Sequence, residues 1–382
     1  MTITRRTALE RIAGSACAAV CATMLPAGAF ARAADTGTDT LKALAARKGL
    51  RFGNAMGHGP FNDPLYRALM ARECDAFVCE NETKWQHLQP RPGQFDFAAA
   101  DEMFAWARAQ DMQLRGHTLV WQPAKWLPQW VNAHDFGAQP AQEAERLLRA
   151  HIGTVCDHFG AQIASYDVVN EAVDPDTGEL RANVFTKQLG AVEQIDLAFR
   201  LAREHAPHAQ LVYNDYMDIG AGSAKHRAGV LALLHALKAR GTPVQALGIQ
   251  SHITAPAKGT ANMVEWRKFL DEVSGMGLDL LITEFDVNDR FLPANLAQRD
   301  AGVAAAARDY LDVTLSYPNL RDMMLWGMAD HVSWLKTWKE TPRTDGQLMR
   351  PCPFDAQLRA KPLRTAIANA LKAMPSRSAT RA

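Results

Sequence analysis

The sequence predicts a single-domain (β/α)8 TIM barrel, a fold of the α/β class. Eight apolar, β-rich runs alternate with segments of helical period over about 330 residues. Such alternation is typical of parallel strands joined by crossover helices, and eight repeats of this length fit a closed barrel. With 382 residues, 48% of them hydrophobic, the chain is long enough to bury one large core.

The predicted strands follow one another at regular intervals. They cover residues 50–55, 75–81, 112–121, 163–171, 209–216, 244–252, 278–286 and 322–330. Helical patterns such as AQEAERLLRAHIGTVCDHFG separate them, and LRTAIANALKA closes the chain. A doubly wound open sheet is the structural alternative. That fold typically has a glycine-rich phosphate-binding turn after the first strand, and FGNAMGHG does not match the GxGxxG pattern of such a turn.

The N-terminus has the order of an export signal, predicted over residues 1–33. Arg5 and Arg6 precede an uncharged stretch from Ile12 to Ala31, and small residues close it. Thr4-Arg5-Arg6 with Leu9 resembles a twin-arginine signal. A general secretory signal and an amphipathic N-terminal helix are the alternatives. We therefore expect an exported, periplasmic or secreted protein, with a barrel domain over 41–373 and a short tail over 374–382.

The composition argues against several classes of partner. A net charge of +1 gives no indication of a nucleic-acid or anionic-membrane partner. No stretch after the signal is long and apolar enough to span a bilayer. The cysteines left after signal removal fit no zinc motif, and their pairing stays open: Cys74, Cys79, Cys156 and Cys352. No metal or other cofactor is expected, and the mature protein is expected to be a monomer.

Polar residues lie at or just past the end of nearly every predicted strand. In a barrel these C-terminal ends surround one pocket, so residues far apart in sequence would face one another. Buried polar side chains need partners, and a ring of them indicates a polar ligand. The ring comprises Asn54, Glu80, Asn81, His117, Asn170, Glu171, Asn214, Asp215, Gln250, His252, Glu284 and Trp326.

Two of these strands end on a carboxylate. YDVVNE places Glu171 after strand four, and LLITEFD places Glu284 after strand seven, across the barrel mouth. Two facing carboxylates are the groups that glycoside hydrolysis needs, one protonated and the other ionised. Gln250 and His252 are placed to favour the charged form of Glu284, and Asn170 can donate to a sugar hydroxyl. A Ser-His-Asp hydrolase is disfavoured because no GxSxG elbow is present.

Several motifs resemble those of glycoside hydrolase family 10, whose best-known members are endo-β-1,4-xylanases. They are ENETKWQHLQPRPGQFDFAAAD, LRGHTLVWQ, YDVVNEA, GIQSH, LLITEFD and LWGMADHVSW, which run in order from about residue 50 to 340. The resemblance implies a retaining double displacement on xylan or a related β-glycan, whether polysaccharide or oligosaccharide. Glu284 matches the family nucleophile, and Glu171 matches the acid/base.

The resemblance also implies how the sugars are bound. Asn170 would contact the 2-hydroxyl of the attacked sugar, while His252 and Gln250 line the wall beside the nucleophile. The remaining implied contacts are Glu80, Asn81 and Lys84 for the next sugar on the non-reducing side, His117 and Trp121 around the cleaved sugar, and Trp326 and Trp334 packing over the sugars. Four further tryptophans are predicted to pack in the core or in loops: Trp106, Trp126, Trp130 and Trp338.

Five positions depart from the family pattern. Gln122 replaces a usual His, Met217 an Asn, Tyr166 and Phe185 a Trp each, and Leu335 an Arg. None removes a catalytic carboxylate, so the departures are expected to bear on the substrate at the leaving-group side and at the cleft rim. A glucan or a bacterial exopolysaccharide is therefore an alternative substrate. An inactive glycan-binding barrel is the alternative of another class.

Overall fold

The computed structural model describes residues 39–256, 262–338, 340 and 342–377, so the predicted export signal lies outside the described residues. Nine strands are present in these ranges. They are β1 (Arg51–Met56), β2 (Ala76–Cys79), β3 (Gln113–Trp121), β4 (Ile163–Asn170), β5 (Gln210–Asp215), β6 (Ala246–Ile249), β7 (His252–Thr254), β8 (Asp279–Asn288) and β9 (Leu320–Leu325).

Eight of the strands close into a parallel barrel, which confirms the predicted fold. The strands β1 to β6 pair in chain order, β6 pairs with β8, β8 with β9, and β9 returns to β1. The run predicted over 244–252 is instead divided. Ser251 has a left-handed backbone with φ +62°, which interrupts the ladder, and β7 then pairs with the far end of β8.

Helices cover the outside of the barrel, and the longer ones, such as those over Pro140–Phe159 and Ala191–His205, bury an apolar face. They are α1 (Leu41–Ala46), α2 (His58–Phe61), α3 (Pro64–Glu73), α4 (Trp85–Leu88), α5 (Ala98–Ala109), α6 (Gln129–Asn132), α7 (Pro140–Phe159), α8 (Thr186–Leu189), α9 (Ala191–His205), α10 (Ala224–Ala239), α11 (Met263–Gly275), α12 (Leu296–Thr314) and α13 (Pro362–Ala373). Within the described ranges, no helix combines the length and apolarity needed to cross a membrane.

The described part of the C-terminal tail is attached to the barrel. The Arg377 guanidinium donates to the carbonyl oxygens of Leu315 at 3.1 Å and Tyr317 at 3.3 Å. These bonds satisfy carbonyls at the end of α12, so residues 374–377 pack on the domain. The four cysteines in the described ranges are buried free thiols, so no disulfide links them.

A buried ion cluster fixes the loop that follows β8. Asp289 is fully buried and accepts from Arg299 Nε at 2.9 Å, while Arg343 donates to the Asp289 carbonyl at 2.5 Å. The two arginines come from α12 and from the segment after β9. Together they hold this loop against two other parts of the chain. A buried charge that loses its partner is strongly unfavourable, so the cluster favours this placement of the loop.

We expect Asp289→Ala to lower the free energy of unfolding by about 3–5 kcal/mol, because it leaves Arg299 buried without its counter-charge. Urea denaturation monitored by tryptophan fluorescence measures the change. Asp309→Ala is the matched control, since that carboxylate on α12 is 64% exposed beside Arg308 and should contribute less than about 1 kcal/mol. Equal losses in the two variants would contradict the role given to the cluster.

Candidate active site

Glu171 follows β4 directly and has an unusual backbone. Its φ is +59°, in the left-handed region that residues with a Cβ adopt at a cost of about 1–2 kcal/mol. Its N–H still donates to the Asn214 carbonyl at 2.9 Å, so the residue stays attached to β5. Its carboxylate accepts from Gln250 Nε2 at 3.1 Å. The turn therefore places the Glu171 side chain beside the end of β6 at the barrel mouth.

Glu284 lies within β8, with 5% of its surface exposed. One carboxylate oxygen accepts from Asn214 Nδ2 at 2.8 Å, and the other lies 3.3 Å from His252 Nε2. The opposite ring nitrogen of His252 lies 3.0 Å from Asp286 Oδ1. Asp286 in turn accepts from Trp334 Nε1 at 2.7 Å. Glu284 is thus fixed on both oxygens by side chains that are themselves held in place.

Asn170 connects the two glutamates. Its side-chain oxygen accepts from Asn214 Nδ2 at 2.9 Å and from Gln250 Nε2 at 3.2 Å. Asn214 also bonds Glu284, and Gln250 also bonds Glu171, so one amide network carries both carboxylates. The sequence predicted that Asn214 lies at a strand end facing the site, but it assigned Asn214 no contact with the sugar. Its full burial gives it a positioning role.

The environments of the two glutamates shift their pKa values in opposite directions. Burial raises the pKa of Glu171, and the hydrogen bonds from Trp121 and Gln250 offset this only in part. Burial also acts to raise the pKa of Glu284, but the hydrogen bond from His252 and the charges of His117 and His252 outweigh it, so that pKa is lowered. One carboxyl therefore keeps its proton more readily than the other.

His252 is held in its charged form. Burial lowers its pKa, but the negative charges of Asp286 and Glu284 outweigh burial and raise the pKa to about 10. An imidazolium beside Glu284 is the main reason that this buried carboxyl stays ionised. The sequence prediction placed His252 here, whereas Asp286 as its counter-charge was not identified. The signal available was its spacing, because Asp286 is two residues past Glu284 on the same strand.

A second group of polar and aromatic residues lies on the β2 and β3 side of the mouth. Lys84 is 8% exposed and donates to Asn81 Oδ1 at 3.0 Å. Its ammonium lies 4.6 Å from the Trp121 ring centroid and 6.0 Å from that of Trp326. Burial lowers the pKa of Lys84, against the opposing charges of Glu284 and Glu80. The residues predicted to bind the next sugar are therefore brought together here.

His117 is positioned from inside the barrel. Its Nδ1 lies 2.9 Å from Asp167 Oδ2, and the other oxygen of Asp167 accepts from Arg115 at 2.6 Å. The His117 ring also packs edge-on against Trp326, with centroids 5.1 Å apart. Burial acts to raise the pKa of Asp167, but Arg115 and His117 outweigh it and lower that pKa. Arg115 and Asp167 support the site without having been identified from the sequence.

The tryptophans extend the site on two sides. Trp126 stacks on Trp121 with centroids 4.4 Å apart, and Trp338 meets Trp334 edge-on at 5.0 Å. Both outer tryptophans were predicted to be packing residues. They do pack, and the residues they contact are two of the tryptophans assigned to the site. Partly exposed indole pairs of this kind are suited to the apolar faces of sugars.

Two members of the predicted ring are satisfied inside the protein instead. Asn54 is fully buried, and its side-chain oxygen accepts from Gly327 N at 2.9 Å. Asp215 is equally enclosed and lies 3.0 Å from His226 Nε2, with a further bond from the Tyr213 hydroxyl. These two residues stabilise strand ends and are not available to a ligand.

The five positions that depart from the family pattern are almost wholly enclosed. Gln122, Tyr166, Phe185, Met217 and Leu335 are each no more than 5% exposed. Gln122, for example, donates to Gln194 Oε1 at 2.7 Å within the protein. They offer little surface to a ligand, so these departures mainly repack the layer beneath the cleft. Among the residues that the structure describes, no cluster of three metal-ligating side chains occurs.

Comparison with known proteins agrees with this geometry. The chain is 30% identical over 338 residues to endo-1,4-beta-xylanase 1 of Humicola insolens, covering 87% of this chain and 74% of that one. It is 33% identical to exoglucanase XynX of Acetivibrio thermocellus over 82% of this chain and 28% of that longer protein. The crystal structure of xylanase 10B from Thermotoga petrophila RKU-1 in complex with xylobiose superimposes with a TM-score of 0.76 at 29% identity, covering 87% and 97% of the two chains.

The family to which these motifs point is also matched directly. The sequence model of glycosyl hydrolase family 10 aligns with residues 40–370, which is nearly the whole described barrel. The matched range includes every strand end that carries the site. The chain belongs to glycosyl hydrolase family 10.

Proposed function

We propose that this protein is a retaining endo-β-1,4-xylanase in which Glu284 is the nucleophile and Glu171 the acid/base. The observation that carries the proposal is the pair of glutamates on β8 and after β4, joined by one amide network and shifted in pKa in opposite directions. Members of the family cleave internal linkages with retention, and relatives named as xylanases match most of the chain.

The first half of the reaction forms a covalent intermediate. An ionised oxygen of Glu284 attacks the anomeric carbon while the bond from that carbon to the leaving sugar breaks. The proton of Glu171 passes to the departing oxygen, so the leaving sugar departs as a neutral alcohol. The raised pKa of Glu171 supplies the proton, and His252 keeps Glu284 ionised against its burial.

The second half releases the sugar. Glu171, now ionised, takes a proton from a water molecule whose oxygen bonds to the anomeric carbon. The ester bond to Glu284 breaks, and both glutamates return to their starting protonation states. Two inversions at the same carbon leave its configuration unchanged. Asn170, held by Asn214 and Gln250, is proposed to donate to the 2-hydroxyl of the attacked sugar.

The remaining site residues are proposed to hold the sugars on the non-reducing side. Lys84 and Glu80 supply charged hydrogen-bond partners to hydroxyl groups and Asn81 supplies an amide, while His117 and Trp121 surround the sugar that is cleaved. Trp326 and Trp334 supply flat apolar surfaces for ring faces. Their mutual contacts, from Lys84 to Asn81 and to the Trp121 and Trp326 rings, support one continuous wall.

Product analysis on several polysaccharides tests the substrate. The purified protein should release short xylo-oligosaccharides from xylan and cut xylo-oligosaccharides of four or more units internally. A mixed-linkage glucan is the comparison, because one relative is named an exoglucanase. Cleavage of glucan with no attack on xylan would move the assignment to that substrate. Binding of these glycans with no turnover would favour an inactive glycan-binding barrel.

The opposed pKa shifts predict a bell-shaped dependence of kcat/KM on pH. Glu284 must be ionised, so activity should rise with pH through a pKa below the ordinary 4.5 of a glutamic acid. Glu171 must be protonated, so activity should fall as pH rises through a pKa above 4.5. Steady-state rates across the pH range measure both limbs. A Glu171→Gln variant should lose the alkaline fall, and its persistence would assign that limb to another group.

Replacing His252 should move only the acid limb. Without the imidazolium, burial raises the pKa of Glu284, so His252→Asn should shift the acid limb to higher pH and leave the alkaline limb in place. His235→Asn is the matched control, because that histidine is 58% exposed and pairs with Glu272 on the outer surface. An unchanged acid limb in His252→Asn would show that His252 does not set the ionisation of Glu284.

We also propose that the protein is exported and acts as a monomer in the periplasm or the medium. The order of charged, apolar and small residues over 1–33 supports export. N-terminal sequencing of protein recovered outside the cytoplasm should find the chain beginning near residue 34, and light scattering should give the mass of one mature chain. An intact N-terminus in the exported fraction would contradict cleavage.

A further inference from the structure

A cavity of about 200 Å³ lies beside β7, and neither glutamate is among its lining residues. It is lined by residues of β7 and by residues just past the ends of β5 and β8, among them Asp218, Ile253, Thr254, Arg290 and Phe291. Ile253 and Thr254 directly follow His252, the partner of Glu284. The cavity is therefore a neighbour of the reaction centre along the same short strand.

The position of this cavity relative to the sugar-binding wall follows from the barrel order. Lys84 and Asn81 follow β2, and four strand steps separate β2 from β6 in either direction around the barrel. The cavity residues lie in β7 and just after β5 and β8, and the last two are the strands that pair with β6. The cavity thus lies across the mouth from the wall proposed for the non-reducing side. A glycan that crosses the mouth would bring its leaving-group side to the cavity.

Arg290 is the unusual residue in the lining. Its guanidinium carbon lies 4.4 Å from the Phe291 ring centroid, and its Nε is enclosed without a hydrogen-bond partner among the described residues. No ion pair to Arg290 occurs within the described ranges either. The neighbouring arginines differ, since Arg299 bonds Asp289 and Arg343 bonds Asp345. A guanidinium placed on an aromatic ring and left without an acceptor is preorganised for an external one.

The charge around the cavity suits an anion in spite of one acidic residue. Asp218 lines it too, but one of its oxygens already accepts from Gly220 N at 2.6 Å. Arg227, which is 6% exposed, donates to the carbonyls of Asp218 and Gly220 and places a second positive charge behind that loop. Arg227 thus offsets the Asp218 carboxylate from outside the lining, and Arg290 is the guanidinium in the lining itself. The planar fork of arginine matches a carboxylate better than it matches neutral hydroxyl groups.

We propose that this cavity binds the carboxylate of a uronic acid branch carried by the glycan on the leaving-group side, with Arg290 as the recognition residue. The volume of the cavity is several times the roughly 30 Å³ share of one liquid water, so it has room for part of a sugar ring. Thr254 and the Asp218 loop offer further bonds to ring hydroxyls. The assignment rests on the proposed glycosidase function and adds a preference for acidic, branched substrate.

The test compares three oligosaccharides with the same β-1,4 xylose backbone. One is unbranched, one carries a glucuronic acid branch, and one carries the same branch after reduction of its carboxyl group to an alcohol. We expect the wild-type protein to favour the acidic form, and Arg290→Gln to lower kcat/KM on it about tenfold while changing the other two less than about twofold. Arg308→Gln, an exposed arginine on α12, is the matched control and should change none of the three.

Binding measured separately keeps the outcomes distinguishable. Titration calorimetry on Glu284→Gln protein, with and without Arg290→Gln, reports affinity without turnover. If Arg290→Gln changed the affinity for the acidic and reduced forms equally, or changed neither, the cavity assignment would be overturned. Cleavage of the unbranched form would in that case still support the proposed function. No cleavage of any form, together with Arg290-dependent binding of the acidic one, would overturn the proposed function and leave the cavity assignment standing.

Discussion

Glu284→Gln should lower kcat on xylo-oligosaccharides by a factor of about 10⁴ or more, because the amide cannot form the covalent bond to the anomeric carbon. The amide oxygen can still accept from Asn214 Nδ2, so the fold should be unchanged. Initial rates and the thermal unfolding midpoint measure the two expectations. Glu272→Gln is the matched control, since that glutamate is 48% exposed on α11 and should keep wild-type turnover.

A covalent label would locate the nucleophile independently of rates. A xylobioside with fluorine at C2 and an activated leaving group should trap the intermediate, and peptide mass mapping should find the added mass on Glu284. Label on another carboxylate, or substantial turnover by a clean Glu284→Gln preparation, would contradict the assignment. Labelling at Glu284 without loss of activity in the variant would also contradict it, because the labelled group would then be dispensable.

Glu171→Ala should produce a loss that depends on the leaving group. Xylan and alkyl glycosides need the proton of Glu171, so kcat/KM on them should fall by about 10³–10⁴-fold. A dinitrophenyl xylobioside leaves without protonation, so its kcat/KM should stay within about tenfold of wild type. The second step still lacks its base, so a burst of dinitrophenol followed by slow turnover is expected.

Stopped-flow measurements of dinitrophenol release resolve the burst. Its amplitude should approach one equivalent per enzyme molecule. Azide offers a further check, because a small anion in the space left by Glu171 can attack the glycosyl-enzyme without needing a base. Added azide should therefore accelerate the slow phase. A uniform loss on good and poor leaving groups would remove Glu171 from the acid role and leave it a structural residue.

The barrel was predictable from the sequence because the spacing of apolar residues and the residues that end each strand are local signals. All eight predicted barrel strands are present, and most differ from the prediction by one or two residues at either end. The division of the sixth run into β6 and β7 was not predicted. A left-handed serine carries no sequence signature comparable to a glycine, and Ser251 adopts this conformation where its hydroxyl meets Tyr310 at 2.7 Å.

The sequence predicted the site residues that lie at the strand ends. Glu171, Glu284, His252 and Gln250 lie together as expected from the strand order. The supporting residues were not predictable in the same way, because Asp286 and Asp167 acquire their partners only through the register between neighbouring strands. Arg290 gave no signal in the sequence at all. Its Nε has no acceptor among the described residues, and that is a property of the three-dimensional structure alone.

The left-handed backbone at Glu171 has a consequence for attempts to make this protein more heat-resistant. Glycine adopts φ near +59° without a steric penalty. Replacing Glu171 with glycine would therefore relieve backbone strain and remove the carboxyl group in one step. A library screened for melting temperature alone would therefore enrich chains that no longer carry the proposed proton donor. The useful design rule is local: residue 171 should be held fixed while the rest of the barrel is varied.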